Sequence, residues 1–163
     1  MKMLDLSNYT VLLVDDVTFS RQVVTKMLLD LRVHEVRHAE DGNEALDILN
    51  DEGDVDFIIS DFHMPDFNGL QLLKAVRSGK TPVRRDLPFA MLTGYSDRYL
   101  VDMALALDVN AFLTKPVSKK TLSARLEKML IKFGTDSEIK APEVYGAVTI
   151  EEAEKEYVPD PES

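Results

Sequence analysis

The chain has 163 residues, 45% hydrophobic and 29% charged, which suits a soluble globular protein with room for one α/β domain and a remainder. It has no cysteine, which excludes disulfides, thiolate metal sites and thiol catalysis. The formal charge of −10 disfavours direct nucleic-acid binding, and no stretch approaches the roughly 18 apolar residues of a membrane span; a cytoplasmic protein without membrane insertion is expected. The acidity is uneven: residues 1–133 are net −3, whereas 134–163 are net −7.

In chain order, Thr10 to Val14 is a continuous apolar run suited to a strand buried on both faces. Val17, Val23, Val24, Met27, Leu28 and Leu31 then recur at helical spacing, and Val33 to His38 reads as a short second strand. Asp41-Gly42 precedes a second helix carrying Ala45, Leu46, Ile48 and Leu49, which ends near Gly53. Val55 to Ser60 predicts a third strand, followed by a loop with Pro65, Asn68 and Gly69. A third helix carries Leu70, Leu72, Leu73 and Val76 and stops at Ser78-Gly79.

The connection Ser78 to Asp86 reads as a solvated loop, with Arg84-Arg85 either simply solvated or facing an acidic partner. Leu87 to Leu92 is a fourth strand, Leu100 to Leu107 lies in a fourth helix, and Ala111 to Leu113 is a fifth strand. Leu122, Leu126, Met129, Leu130 and Phe133 stripe a fifth helix that Ser118 caps. Five strands alternating with five helices predict a parallel sheet covered on both faces. Residues 134–146 read as a linker. Thr149 to Glu152 then resembles a capping box ahead of a short acidic helix over about 150–157.

Chemistry-bearing residues stand at the ends of these strands: Asp15 and Asp16 after the first, Asp61 after the third, Thr93 at the end of the fourth and Lys115-Pro116 after the fifth. In a parallel sheet these ends share one crevice. Three carboxylates gathered there would repel unless a hard divalent cation, Mg²⁺ above all, sat among them. Asp61 could then attack a phosphorus centre and form an acyl phosphate, with Thr93 donating to a phosphoryl oxygen and Lys115 neutralising charge. Each residue also has a plainer explanation: an Asp capping the first helix, a turn-forming Asp61, a β-favouring Thr93, a solvated Lys115.

LLVDD, ISDFHMPDFNG, MLTG and FLTKP, in that order and spacing, resemble the receiver domain of bacterial two-component response regulators over roughly residues 10–133. The resemblance implies a flavodoxin-like (βα)5 doubly wound five-stranded parallel sheet, strand order 2-1-3-4-5. It also implies a phosphoryl group taken from a sensor histidine kinase or phosphotransfer protein. By the same resemblance Asp61 is the phosphoacceptor. Asp16, Asp61 and the backbone carbonyl of His63 ligate Mg²⁺, and Asp15 acts largely through metal-bound water. Thr93 and Phe112 are the switch pair, Lys115 contacts the phosphoryl group, and the Lys115-Pro116 bond is cis. Phe112 stands where many members carry tyrosine and so lacks a hydroxyl. His63 and Tyr95 could shape access of the hydrolytic water, or His63 could be an ordinary loop histidine; His34 and His38 read as structural.

Nothing after residue 133 is long or basic enough for a DNA-binding output domain, so output is expected as protein binding on the face of the fourth helix, fifth strand and fifth helix. That face includes Arg98, Tyr99, Asp102, Met103, Lys119 and Lys120. Two other function classes are open. One is a Mg²⁺-dependent phosphohydrolase of the haloacid dehalogenase type, although His63 stands where its second Asp should be. The other is a scaffold indifferent to phosphorylation. The expected division is a receiver over 1–133 and an acidic tail over 134–163. That tail could fold its Ile150, Ala153 and Tyr157 stripe back on the domain, stay disordered, or engage a partner.

Overall fold

The computed structural model describes residues 4–94, 98–135 and 139–150, with side chains omitted at 133–135. Five strands, β1 (Thr10–Val14), β2 (Glu35–Ala39), β3 (Phe57–Asp61), β4 (Phe89–Thr93) and β5 (Ala111–Thr114), alternate with α1 (Thr18–Asp30), α2 (Gly42–Glu52), α3 (Gly69–Arg77), α4 (Arg98–Ala106) and α5 (Lys119–Thr135). All strand pairs are parallel, in the order β2-β1-β3-β4-β5. The fold class and strand order expected from the sequence are therefore those observed.

The three central strands are buried at every position, which is why they read as unbroken apolar runs. One core cluster, around Leu12, Ile58, Leu70 and Phe89, lies on the α2, α3 and α4 side of the sheet. The other, around Leu13, Ile59, Leu28 and Leu126, lies on the α1 and α5 side.

Helix ends follow local chemistry. Asp41 accepts from the Glu44 amide at 2.8 Å to start α2, and Gly53 closes it in the left-handed region at φ 61°. Asn68 and Gln71 form a reciprocal capping box at α3. Ser118 Oγ accepts from the Thr121 amide at 3.1 Å at the head of α5.

β1 has the bounds expected from the sequence and β5 ends one residue later, while β2, β3 and β4 each start two residues later and end one later; β2 begins at Glu35 rather than Val33. Arg32 turns the chain at φ 68°, so pairing starts only where Thr10 meets Glu35. β2 is an edge strand and carries charge accordingly: Arg37 pairs with Glu35, Glu52 and Asp54. In α1 only part of the expected stripe is internal. Val24 and Leu28 are buried, whereas Val17 and Val23 are exposed, because the core-facing row is narrower than the apolar row in the sequence.

Two expectations for polar connections are corrected. In the loop between α3 and β4, Thr81 and Val83 are buried. Its Arg85 is not freely solvated, because it donates to the carbonyls of Arg77 and Lys140. Within the expected linker, Pro142–Gly146 forms a short helix α6, and Tyr145 is fully buried in the first core cluster. The Tyr145 hydroxyl donates to Asp108 Oδ2 and accepts from the Lys140 amide. Lys74 Nζ donates to the Val148 carbonyl at 2.7 Å, and Ile150 is also buried. The expected helix beyond Ile150, with Ala153 and Tyr157, lies outside the described residues.

Candidate functional site

Parallel pairing continues one residue past the strand ends and so sets the site residues side by side. Asp15 N–H donates to the Ala39 carbonyl at 3.0 Å, Phe62 N–H to Leu92 at 3.0 Å and Lys115 N–H to Thr93 at 2.9 Å. The reversal of strand order at β1 and β3 opens the crevice at that edge, and Asp15 and Asp61 sit there.

The site is brought together as the spacing implied. Carboxylate oxygens of Asp15, Asp16 and Asp61 lie within 4.8 Å of one another. Lys115 Nζ bridges two of the acids, 3.0 Å from Asp61 Oδ2 and 3.2 Å from Asp15 Oδ2. Thr93 ends β4 beside them and is buried. Lys115-Pro116 is cis.

The plainer readings of the acids fail on geometry. α1 begins after Val17 with no side-chain cap, so neither Asp15 nor Asp16 caps it. Asp15 Oδ1 instead accepts from the Val17 amide at 2.9 Å, and its carbonyl accepts from Arg21, which steadies the turn leaving β1. Asp61 is the last residue of β3 rather than a turn residue, and it is buried.

Three carboxylates against one ammonium leave the pocket short of positive charge. Burial, opposed by Lys115 and reinforced by Asp15 and Asp16, pushes the Asp61 carboxyl up to about 6. Burial and then the neighbouring Asp15 also raise Asp16. Burial works against the Lys115 ammonium too, but Asp61 and Asp15 outweigh it, so Lys115 is held charged. This all-oxygen, electron-rich donor set fits a hard divalent cation of the Mg²⁺ type.

Gly69 shows how tightly the loop after Asp61 folds back on it. A Cβ there would lie 2.5 Å from the Asp61 carbonyl oxygen and 2.8 Å from Met91 sulfur, so only glycine lets α3 start this close. His63, two residues past Asp61, is half-buried with its ring edge-on to Phe62 at 4.2 Å. Phe112 is half-buried against the first core cluster, two strands from Asp61. His34 and His38 lie at and in β2 and are exposed. Tyr95 lies outside the described residues.

Residues 11–127 match the family model for the response regulator receiver domain. The chain belongs to this family. It is 34% identical over 122 residues to chemotaxis protein CheY-3 of Vibrio cholerae, across 75% of this chain and 92% of that relative. It is 37% identical over 119 residues to a chemotaxis protein CheY homolog of Campylobacter jejuni, across 73% and 90%. The solved structure of Vibrio cholerae CheY4 superposes with a TM-score of 0.67 at 34% identity, covering 74% of this chain and 98% of that one. This receiver is therefore a phosphoacceptor of two-component signalling, and the comparisons lend no support to a haloacid dehalogenase-type hydrolase or a scaffold. No helix among the described residues is long and apolar enough to cross a membrane.

The sequence reading passed over one buried cation. Arg77 is 1% exposed and donates to the carbonyls of Leu107, Arg85, Leu87 and Asp108 and to Asn110 Oδ1, tying the end of α3 to the loops before β4 and β5. Its signal was legible: Arg77 stands one turn after Leu73, on the apolar row of α3.

Proposed function

We propose that Asp61 is the phosphoacceptor of this receiver, that Asp15, Asp16, Asp61 and the backbone carbonyl of His63 hold Mg²⁺, and that Thr93, Lys115 and Phe112 carry the response. The observation that carries this reading is Lys115 Nζ bridging Asp61 and Asp15, with a third carboxylate within 4.8 Å. Acids gathered beside one fixed ammonium in a crevice, with burial raising the Asp61 carboxyl, suit a chemistry that moves negative charge through the site.

When bound, the divalent cation withdraws charge from phosphoryl oxygens. An Asp61 carboxylate oxygen attacks the phosphorus of a phosphohistidine on a sensor kinase or phosphotransfer protein. The P–N bond breaks and its electron pair stays on the imidazole, which takes up a proton. Lys115 is already 3.0 Å from Asp61 Oδ2 and faces the oxygens of the transferred group as a point charge. The Thr93 hydroxyl donates to a phosphoryl oxygen, and vacancy left by its inward shift admits the Phe112 ring.

That ring belongs to β5, between α4 and α5, so the change appears on the face that carries Arg98, Tyr99, Asp102, Met103, Lys119 and Lys120, where a downstream protein binds. The protein assists its own phosphorylation and, with His63 and Tyr95 governing water access, its own dephosphorylation. Residues 1–133 act as the receiver and 134–163 as an appended acidic segment, in the cytoplasm.

Incubation with acetyl phosphate and Mg²⁺ should yield one hydroxylamine-labile phosphoryl group, located at Asp61 by peptide mapping. Labelling that persists in Asp61→Asn, or turnover of p-nitrophenyl phosphate, would defeat the assignment.

A further inference from the structure

Between α4, β5 and α5 lies a groove of about 610 Å³ with two unlike walls. Leu105, Val109 and Phe112 supply apolar surface; Arg125, Lys128 and Lys132 line the α5 side, at the spacing that puts residues on one helix face. Its acidic lining residues are already engaged, Asp86 by Arg84 and Asp108 by the Tyr145 hydroxyl. Arg125 and Lys128 are exposed and have no carboxylate partner among the described residues. Leu105, more than half exposed, is an uncovered apolar side chain beside them.

The course of the chain end bears on what fills this groove. Ile139 lies at its rim. From there the chain crosses α3, held by Lys74 at Val148, and reaches α4, where the Tyr99 hydroxyl donates to the Thr149 carbonyl at 3.4 Å. Ile150 is buried at that point. α4 is itself a wall of the groove, so the chain is anchored on one side of it. The thirteen residues that follow, EEAEKEYVPDPES, hold six acids and one lysine, with Tyr157 and Val158 as apolar members. Thirteen residues reach up to about 40 Å, several times the ~10 Å width of a helix.

We propose that residues 151–163 dock in this groove as an intramolecular ligand, their carboxylates meeting Arg125 and Lys128. The groove lies between the same three elements as the face assigned above to the downstream target but is lined by none of the six residues named there. Docking needs no phosphoryl donor, so it stands or fails separately from the phosphoacceptor reading.

The absence of cysteine permits a single spin label through Val158→Cys in the full chain. With the label oxidised, amide signals of Leu105, Phe112, Arg125 and Lys128 should lose intensity relative to the reduced sample. The loss should disappear between about 0.1 M and about 1 M salt, as the screening length falls from about 10 to about 3 Å. It should also disappear in Arg125→Gln/Lys128→Gln, two exposed positions whose replacement leaves the remaining spectrum in place. Unchanged intensities at those amides, or loss confined to α1 or α2, would overturn the proposal. So would loss in an equal mixture of spin-labelled chain and isotope-labelled wild-type chain, which would identify a second copy as the occupant.

Discussion

Replacing Asp61 by asparagine should stabilise the cation-free protein at neutral pH. The carboxyl titrates at about 6 in the folded state against an ordinary value of 3.8. Between those values the native state binds more protons than the unfolded one, so stability falls as pH rises through this window. The penalty is absent below pH ~4 and complete above pH ~7, where the displacement converts to about 3 kcal/mol. Asparagine keeps the shape and removes the charge, so Asp61→Asn should recover most of that amount, roughly 6–12 °C in melting temperature for a domain of this size.

Urea unfolding of both proteins in EDTA at pH 4.5, 6 and 8 would measure the difference directly. The advantage of Asp61→Asn should grow with pH. Saturating Mg²⁺ should narrow it by stabilising wild type, by about 2.7 kcal/mol at a hundred times the dissociation constant. A variant no more stable than wild type at pH 8 in EDTA, or an advantage independent of pH, would refute the electrostatic account of the site.

Lys115→Met removes the cation that opposes the rise of Asp61, so carbon-detected NMR titration should place the Asp61 carboxyl above its wild-type value, and acetyl phosphate labelling at pH 7 should slow. Arg77→Met leaves five acceptors, two of them buried and three part-buried, without their charged donor and should cost at least about 3 kcal/mol by urea unfolding. Tyr145→Phe removes the hydroxyl between Asp108 and Lys140, costing about 1–2 kcal/mol. Its effect should appear as faster hydrogen exchange over 139–150 with little change around Asp61. Gly69→Ala forces its methyl against the Asp61 carbonyl, so it should lower both stability and phosphoryl uptake, and retained uptake would show that the loop yields.

Much of this architecture was legible because parallel strands buried on both faces must be apolar throughout, and polar residues at their ends then stand out. Asp15, Asp61, Thr93 and Lys115 could be picked out for that reason, and Ser118 could be read as the cap of α5, whereas the capping role of Asp41 emerged only in the structure. β2 is an edge strand bearing Glu35, Arg37 and His38 and lacks the apolar contrast of its neighbours, yet its bounds were offset no more than those of β3 and β4, whose starts were also placed two residues early. Segment 139–150 escaped because its docking depends on isolated residues, Tyr145 and Ile150, whose partners lie far off in sequence on α3 and before β5.

By itself, the sequence determined the alternation of strands and helices, the parallel sheet and the identity of the acidic pocket, since local periodicity and strand-end chemistry are properties of short stretches. Tertiary structure alone decided which acids Lys115 bridges, how far burial raises Asp61, where Arg77 finds its five acceptors and where the chain end is held. Those depend on distances between residues remote along the chain, and on the water that packing removes from between them.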